Sequence, residues 1–217
     1  MSHVIWLFSD AGNTDGQAAA LLEEHGMKGA FAWATNAFTH PGRETLPWAE
    51  AQEIAAHGHE VHSHGMRHDS WSRYTETEIA RACRATRQWW ANRLGRDCSA
   101  CKIIGPPYYS TATIRRIALE TGYTYTLSNW LTPADSVELP PGYEYQWITC
   151  YHGEGPSATL AALDWASKSA YRAVICSLHR LRDEPAYDKE VRWSDFRAVI
   201  DYAAELGLTA TGVLGLA

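Results

Sequence analysis

The chain is predicted to fold as a single α/β domain over residues 1–217, a (β/α) barrel of the deformed seven- or eight-stranded kind. Three observations predict it. Short β-rich runs alternate with helical runs from one end to the other, which is the pattern of a parallel sheet with covering helices. No shift in composition marks a second domain, and a 46% hydrophobic, 20% charged chain of 217 residues is long enough to bury one core unaided. Ser9-Asp10, His62 to His68, Pro106 to Tyr109 and His179 all fall at the carboxyl ends of separate predicted strands. That rim is where barrels gather their catalytic groups, which favours a closed barrel over a doubly wound sheet.

The elements follow in order. Residues 3–9 form the first strand, and a helix from Ala18 to His25 stops at Gly26, a residue that readily ends helices. Ala30 to Thr35 is the second strand. Leu46 to His57 is a helix opened by Pro47 and closed by Gly58. His59 to Ser63 alternates with strand period, and Thr75 to Leu94 is a long helix whose Thr75-Glu76-Thr77-Glu78 start resembles a capping box. Lys102 to Ile104 is a buried strand, Thr113 to Thr121 a helix ending at Gly122, and Tyr123 to Leu127 another strand. Glu144 to Cys150, Arg172 to Leu178 and Thr209 to Leu214 complete about eight strands, with helices near 157–168 and 194–206.

Composition narrows the function classes. A formal charge of −6 and a pI near 5.9 supply no basic field for phosphate backbones or anionic lipid, which argues against nucleic-acid binding. Val4-Ile5-Trp6-Leu7-Phe8 follows the N-terminus with no positive segment before it, and no apolar run is long enough to span a bilayer. The expectation is a cytoplasmic protein without a signal peptide or membrane partner. Five cysteines, an odd number, fit reduced thiols better than a disulfide framework, and Cys98-Ser99-Ala100-Cys101 lacks the second pair a zinc knuckle needs. Ten tryptophans lean toward a ligand with flat faces, with Trp71, Trp130, Trp147 and Tyr108 as candidate walls. Oligomeric state is not legible.

The most specific local feature is Gly58-His59-Glu60-Val61-His62-Ser63-His64-Gly65-Met66-Arg67-His68, which holds half of the ten histidines if His57 is included. His64 and His68 lie four apart, a spacing that brings both imidazoles to one metal if the loop turns as one helical step. His57 reads as a solvated helix end, and His59 and His62 as core groups or groups behind the ligands. Two histidines do not hold a catalytic zinc, which takes three protein ligands and an open position. Asp10, ending the first strand on the same rim, is the natural third.

Taken together these residues resemble the NodB-homology polysaccharide deacetylases, the carbohydrate esterase family 4 type. Phe8-Ser9-Asp10-Ala11-Gly12 is similar to the family's Thr-Phe-Asp-Asp-Gly, and Gly58-His59-Glu60 through His64 and His68 to its second motif. Gly105-Pro106-Pro107-Tyr108 is similar to its Arg-x-Pro-Tyr, and Ser177-Leu178-His179 to its late Leu-x-His. The resemblance implies a divalent metal, most commonly Zn²⁺, on Asp10, His64 and His68. It implies His179 as the general acid that protonates the departing amine, and a substrate wall from Pro107, Tyr108, Ser9 and Trp130. Physically, such a metal polarises a carbonyl and lowers the pKa of bound water while an imidazole serves the leaving nitrogen.

The chain departs from the family at two paired places. Ser9 stands where the family has its Asp base, and Gly105 where the arginine that holds that base stands. Losing both partners of a charge pair together is coherent, because either alone would be costly if buried. A second register, matching Gly12 to the motif's glycine, makes Asp10 the base and Ala11 the missing ligand. Asp15, Glu60, Asp69 and Glu154 are carboxylates that could stand in for the base, and Ser128-Asn129-Trp130 replaces the family's fourth motif. The expected activity is metal-dependent removal of an acetyl-like group from an N-acylated amino sugar or a related small amide. The alternatives are a metal-containing binding module that does not hydrolyse, and a metal-independent cyclic-amide hydrolase of the same fold.

Overall fold

The computed structural model describes residues 2–42, 44–95, 98, 100–102, 111–123, 125–127, 144–150, 155–186, 190–210 and 212. Its centre is a parallel sheet built on β1 (His3–Ser9). β1 pairs along its length with β7 (Arg172–Leu178), from His3↔Ala173 to Phe8↔Leu178. On its other side β10 (Thr209–Ala210) covers the amino end, at His3 and Val4, and β2 (Ala30–Trp33) the carboxyl end, from Leu7 to Ser9. β2 continues to β3 (Glu60–Ser63), β4 (Ala100–Lys102) and β5 (Tyr125–Leu127), while β7 continues to β6 (Glu144–Thr149). Every pairing in this sheet is parallel, so all the strands end on one rim.

The described helices are α1 (Asp15–Glu24), α2 (Asn36–Thr39), α3 (Trp48–Ala56), α4 (Glu76–Leu94), α5 (Thr111–Glu120), α6 (Ser157–Ser167) and α7 (Trp193–Glu205). The alternation of β1 sorts its side chains. Trp6 and Phe8 meet Phe196 of α7 edge-on at 5.9 and 5.7 Å, and Phe8 stacks on Phe31 at 4.8 Å. With period two, Ile5, Leu7 and Ser9 then face the opposite side, the interior. On that side Ser9 is level with Ala32, and Ala32 with His62, so a methyl group separates the hydroxyl from the imidazole along the sheet.

Local chemistry explains most of the boundaries. α4 begins where Thr75 and Glu78 exchange capping-box hydrogen bonds, buries Ile79, Cys83, Thr86 and Trp90 on one stripe, and ends at left-handed Gly95. α3 starts after Pro47 as expected. β4 lies at Ala100–Lys102, earlier than the apolar residues at 102–104 suggested, because pairing with β5 from Ala100↔Tyr125 sets the register. A short parallel pair, β8 (Arg180–Arg182) with β9 (Glu190–Arg192), was not anticipated. Three residues carry too little periodicity to stand out, and here an ion pair from Arg182 to buried Glu190 joins the strands. No helix among the described residues is long and apolar enough to cross a membrane.

Candidate metal centre

The end of β1 turns by an unusual route. Asp10 and Ala11 both have left-handed backbones, with φ of 77° and 53°, a region that non-glycine residues seldom occupy. The Asp10 N–H donates to Ala32 O at 3.2 Å, Leu46 N–H to Ala11 O at 2.9 Å and Asn13 N–H to Glu44 O at 3.0 Å. The turn is therefore held between β2 and the segment before α3. Its effect is to swing the Asp10 carboxylate over the rim rather than along the strand.

From β3 the chain delivers the histidines. His64 N–H donates to Trp33 O at 2.9 Å, Gly65 turns with φ 84°, and the Gly65 and Met66 carbonyls accept the Thr35 and Asn36 N–H groups at 3.1 and 2.9 Å. The single helical step envisaged between His64 and His68 is not formed. The loop instead runs through bends at residues 66–68 and still brings the two rings to 5.1 Å between centroids.

Asp10 Oδ1 lies 3.3 Å from His64 Nε2 and 2.9 Å from His68 Nε2. That oxygen is buried, with both imidazole nitrogens facing it. One potential ligand atom from each residue falls within 4.8 Å of the others. Burial resists ionisation of Asp10, but the two imidazoles outweigh it and hold the carboxyl well below the ordinary carboxylate range. Three convergent donors, two nitrogens and one oxygen, with His68 left 47% exposed on one side, suit a divalent cation with an open coordination position.

The remaining predicted residues distribute as follows. Ser9 is fully buried one residue before Asp10. His179 follows Leu178, the register partner of Phe8, so it reaches the same rim, and its carbonyl lies 3.7 Å from where a Gly12 side chain would begin. Pro107, Tyr108, Gly105, Trp130 and Glu154 lie outside the described residues, as do the side chains of Trp147 and Cys101. Trp71 is buried against the wall of a cavity of about 360 Å³ that runs between the His64–His68 loop and α4. Cys98 is a buried free thiol.

The candidate replacement carboxylates have other partners. Glu60 accepts a hydrogen bond from His62 Nε2 at 2.7 Å, and Asp69 accepts one from the Tyr74 hydroxyl at 2.9 Å. Asp15 is buried beneath the β1–α1 turn, where its carboxylate accepts Trp33 Nε1–H at 2.8 Å and its own N–H donates to Gly12 O at 3.0 Å. Burial, with the charge of Asp10 adding to it, pushes the Asp15 carboxyl well up although the Trp33 hydrogen bond opposes the shift. The sequence singled out Asp15 but not Trp33, whose indole N–H has no signature in the residue pattern.

A family model for polysaccharide deacetylases matches residues 2–126. The chain belongs to the polysaccharide deacetylase family. Solved structures bear this out at the level of fold. A family 4 carbohydrate esterase from Streptomyces lividans in complex with acetate is 16% identical, with a TM-score of 0.60 over 96% of this chain and 91% of that one. A CE4 family pseudoenzyme from Bacillus anthracis is 14% identical, with a TM-score of 0.63 over 99% of this chain and 65% of that one. The Streptococcus pyogenes deacetylase PplD in complex with acetate is 15% identical, with a TM-score of 0.52 over 56% of this chain. The matched part spans about half of that deacetylase, 53% of its chain. Comparison with curated proteins finds no match. The fold of this deacetylase-family chain is thus the NodB-type (β/α) barrel, with the Asp10, His64 and His68 cluster at its carboxyl rim.

Proposed function

We propose that this family member is a metal-dependent amide hydrolase that removes an acetyl-like acyl group from an N-acylated amino sugar or a related small amide. The observation that carries the reading is the convergence of one Asp10 carboxylate oxygen and two imidazole nitrogens, from His64 and His68, within 4.8 Å of one another on the carboxyl rim. Two nitrogens and one oxygen gathered from two separate strand ends match the three protein ligands of a catalytic metal site. Asp10, His64 and His68 would hold the ion, with Zn²⁺ the best fit to an N₂O donor set. A divalent cation there supplies polarisation of the acyl oxygen and a water of lowered pKa.

The chain's own groups do the rest. Water adds to the acyl carbon, the carbon–nitrogen bond breaks, and the products are a carboxylic acid and an amine. His179, on the neighbouring strand end, hands the departing nitrogen its proton. Ser9 puts a buried hydroxyl where the family has its carboxylate base. Acetate bound in two of the solved neighbours is consistent with an acetyl-sized product.

The test is acetate release from N-acetylglucosamine oligomers and small N-acetyl amides by metal-loaded protein. The expected result is turnover that a chelator abolishes and Zn²⁺ or Co²⁺ restores. Activity indifferent to chelation, or folded protein that takes up less than a tenth of an equivalent of either metal, would overturn the proposal.

Ser9 also favours a second reading, a metal-holding barrel that binds glycans without cleaving them. A mutant of the Bacillus anthracis pseudoenzyme with restored activity is among the solved neighbours. Ser9→Asp combined with Gly105→Arg separates the two readings. A parent inert on every amide whose double variant deacetylates chitin oligomers is a binding module; a parent whose own activity falls in the double variant is a hydrolase with a rearranged site.

A further inference from the structure

We propose that Asp15 is a positioning residue: seated against Gly12 and held by the Trp33 indole, it locks the left-handed Asp10–Ala11 turn that aims the Asp10 carboxylate at His64 and His68. This rests on the metal reading above and adds a fourth residue to it.

Two consecutive non-glycine residues at positive φ are strained and persist only where their surroundings over-determine them. The backbone bonds to Ala32, Leu46 and Glu44 tie the turn to its neighbours. Asp15 braces Gly12, the residue that follows both strained positions: its N–H donates to Gly12 O at 3.0 Å, and its Oδ1 lies 3.5 Å from where a Gly12 side chain would begin. Asp15 is itself 1% exposed, and among the described residues no Lys, Arg or His is hydrogen-bonded or ion-paired to it. A buried carboxyl without such a partner is expensive, and a core position without a task would be filled by an apolar residue.

Trp33 supplies the rigid end. It is the last residue of β2, wholly buried, and its ring packs against Phe31, Phe38 and Trp90. Its backbone carbonyl also receives the His64 N–H at 2.9 Å. One residue therefore touches both halves of the metal cluster, holding Asp10 through Asp15 on its side chain and His64 through its main chain. Partners standing behind metal ligands fix their orientation, and losing one costs ~10–100-fold in metal affinity.

The experiment is a Co²⁺ titration of the full chain, read by the visible d–d absorption, with circular dichroism as the check on folding. Wild type, Asp15→Ala, Asp15→Asn and Trp33→Phe are compared. Asp15→Ala is expected to weaken Co²⁺ binding ~10–100-fold and alter the band shape. Asp15→Asn, which keeps one acceptor, and Trp33→Phe, which removes only the indole N–H, should fall between it and wild type. If Asp15→Ala does not fold, the other two variants read the same quantity. Unchanged affinity and spectrum in the folded variants would overturn the proposal while leaving the metal reading intact. Wild type that binds no Co²⁺ sinks both. An Asp15→Asn variant that binds Co²⁺ normally but loses ~10²–10⁴ in turnover would make Asp15 the missing base instead, and the positioning role would be wrong.

Discussion

The two ends of β3 each carry imidazoles facing a carboxylate, and they do opposite things. At the amino end His59 is 0% exposed; its Nδ1 accepts the Gly29 N–H at 2.9 Å and its Nε2 meets Glu23 at 3.1 Å. Glu23 also takes Lys28 at 2.9 Å and exposed His57 at 3.1 Å. Every polar atom of that ring has a partner, and the group pins the end of α1 to β2 and β3. At the carboxyl end one ligand atom each of His64, His68 and Asp10 lies within 4.8 Å of the others. Residue types are shared between the two ends; directionality is not. A cluster whose donors and acceptors pair off is structure, and one whose ligand atoms converge on a single point has the geometry of a metal centre.

The contrast predicts where substitutions bite. His64→Ala or His68→Ala should have the largest effect, weakening Zn²⁺ by more than the ~10–100-fold that an outer partner costs, with little change in melting temperature of the metal-free protein. Equilibrium dialysis of both variants checks this, and full occupancy in both would erase the distinction between the two ends. Next in size is His179→Ala, expected to keep the metal and lose ~10²–10⁴ in turnover. Metal loss equal to that of the ligand variants would move His179 into the donor set.

His59→Ala should behave in the reverse sense. It strands the Gly29 N–H and should cost about 1–3 kcal/mol of stability without altering Zn²⁺ affinity, measured by urea unfolding and dialysis in parallel. The same ring predicts a pH dependence. Burial, with Lys28 adding to it, lowers the His59 pKa to about 4 although Glu23 opposes the shift. The folded chain thus binds fewer protons there than the unfolded chain, whose imidazole titrates near 6.5. The stability held by neutral His59 is complete above about pH 6.5 and is lost as the pH falls through about 4. His59→Gln should flatten that slope between pH 6.5 and 4; an unchanged slope would show that other groups govern it. Smallest is His57→Ala, whose exposed pair with Glu23 should change stability by ~0.5 kcal/mol or less.

Much of this was legible in the residues because the barrel writes itself as repetition. The strands at 3–9 and 172–178 and the Thr75 capping box each rest on local chemistry that a sequence displays. The Asp10, His64 and His68 trio was legible for a different reason: it sits at strand ends, where the position of a polar residue is itself a signal. What stayed hidden depends on three-dimensional pairing. Nothing in Asp10-Ala11 announces two left-handed residues, since alanine has no preference for that region and only its surroundings impose it. Nothing in the residue pattern sets Trp33 apart from the other nine tryptophans, and β8 and β9 were too short to show a period. Pro107, Tyr108 and Trp130, read from the third and fourth motifs, fall outside the described residues and keep the status of expectations.

The indole packing has a practical side. Trp33 lies 6.1 Å from Trp90, Trp90 lies 4.7 Å from Trp89 with the rings at 89°, and Trp48 sits 5.5 Å from Trp89. Rings so close share their electronic excitations, so the group behaves as a coupled chromophore with its own circular dichroism couplet and internal energy transfer. Because one member hands its N–H to Asp15, the polarity felt by that chromophore depends on the state of the turn beneath the rim. The protein thereby contains a native optical sensor of its site, readable without any added label.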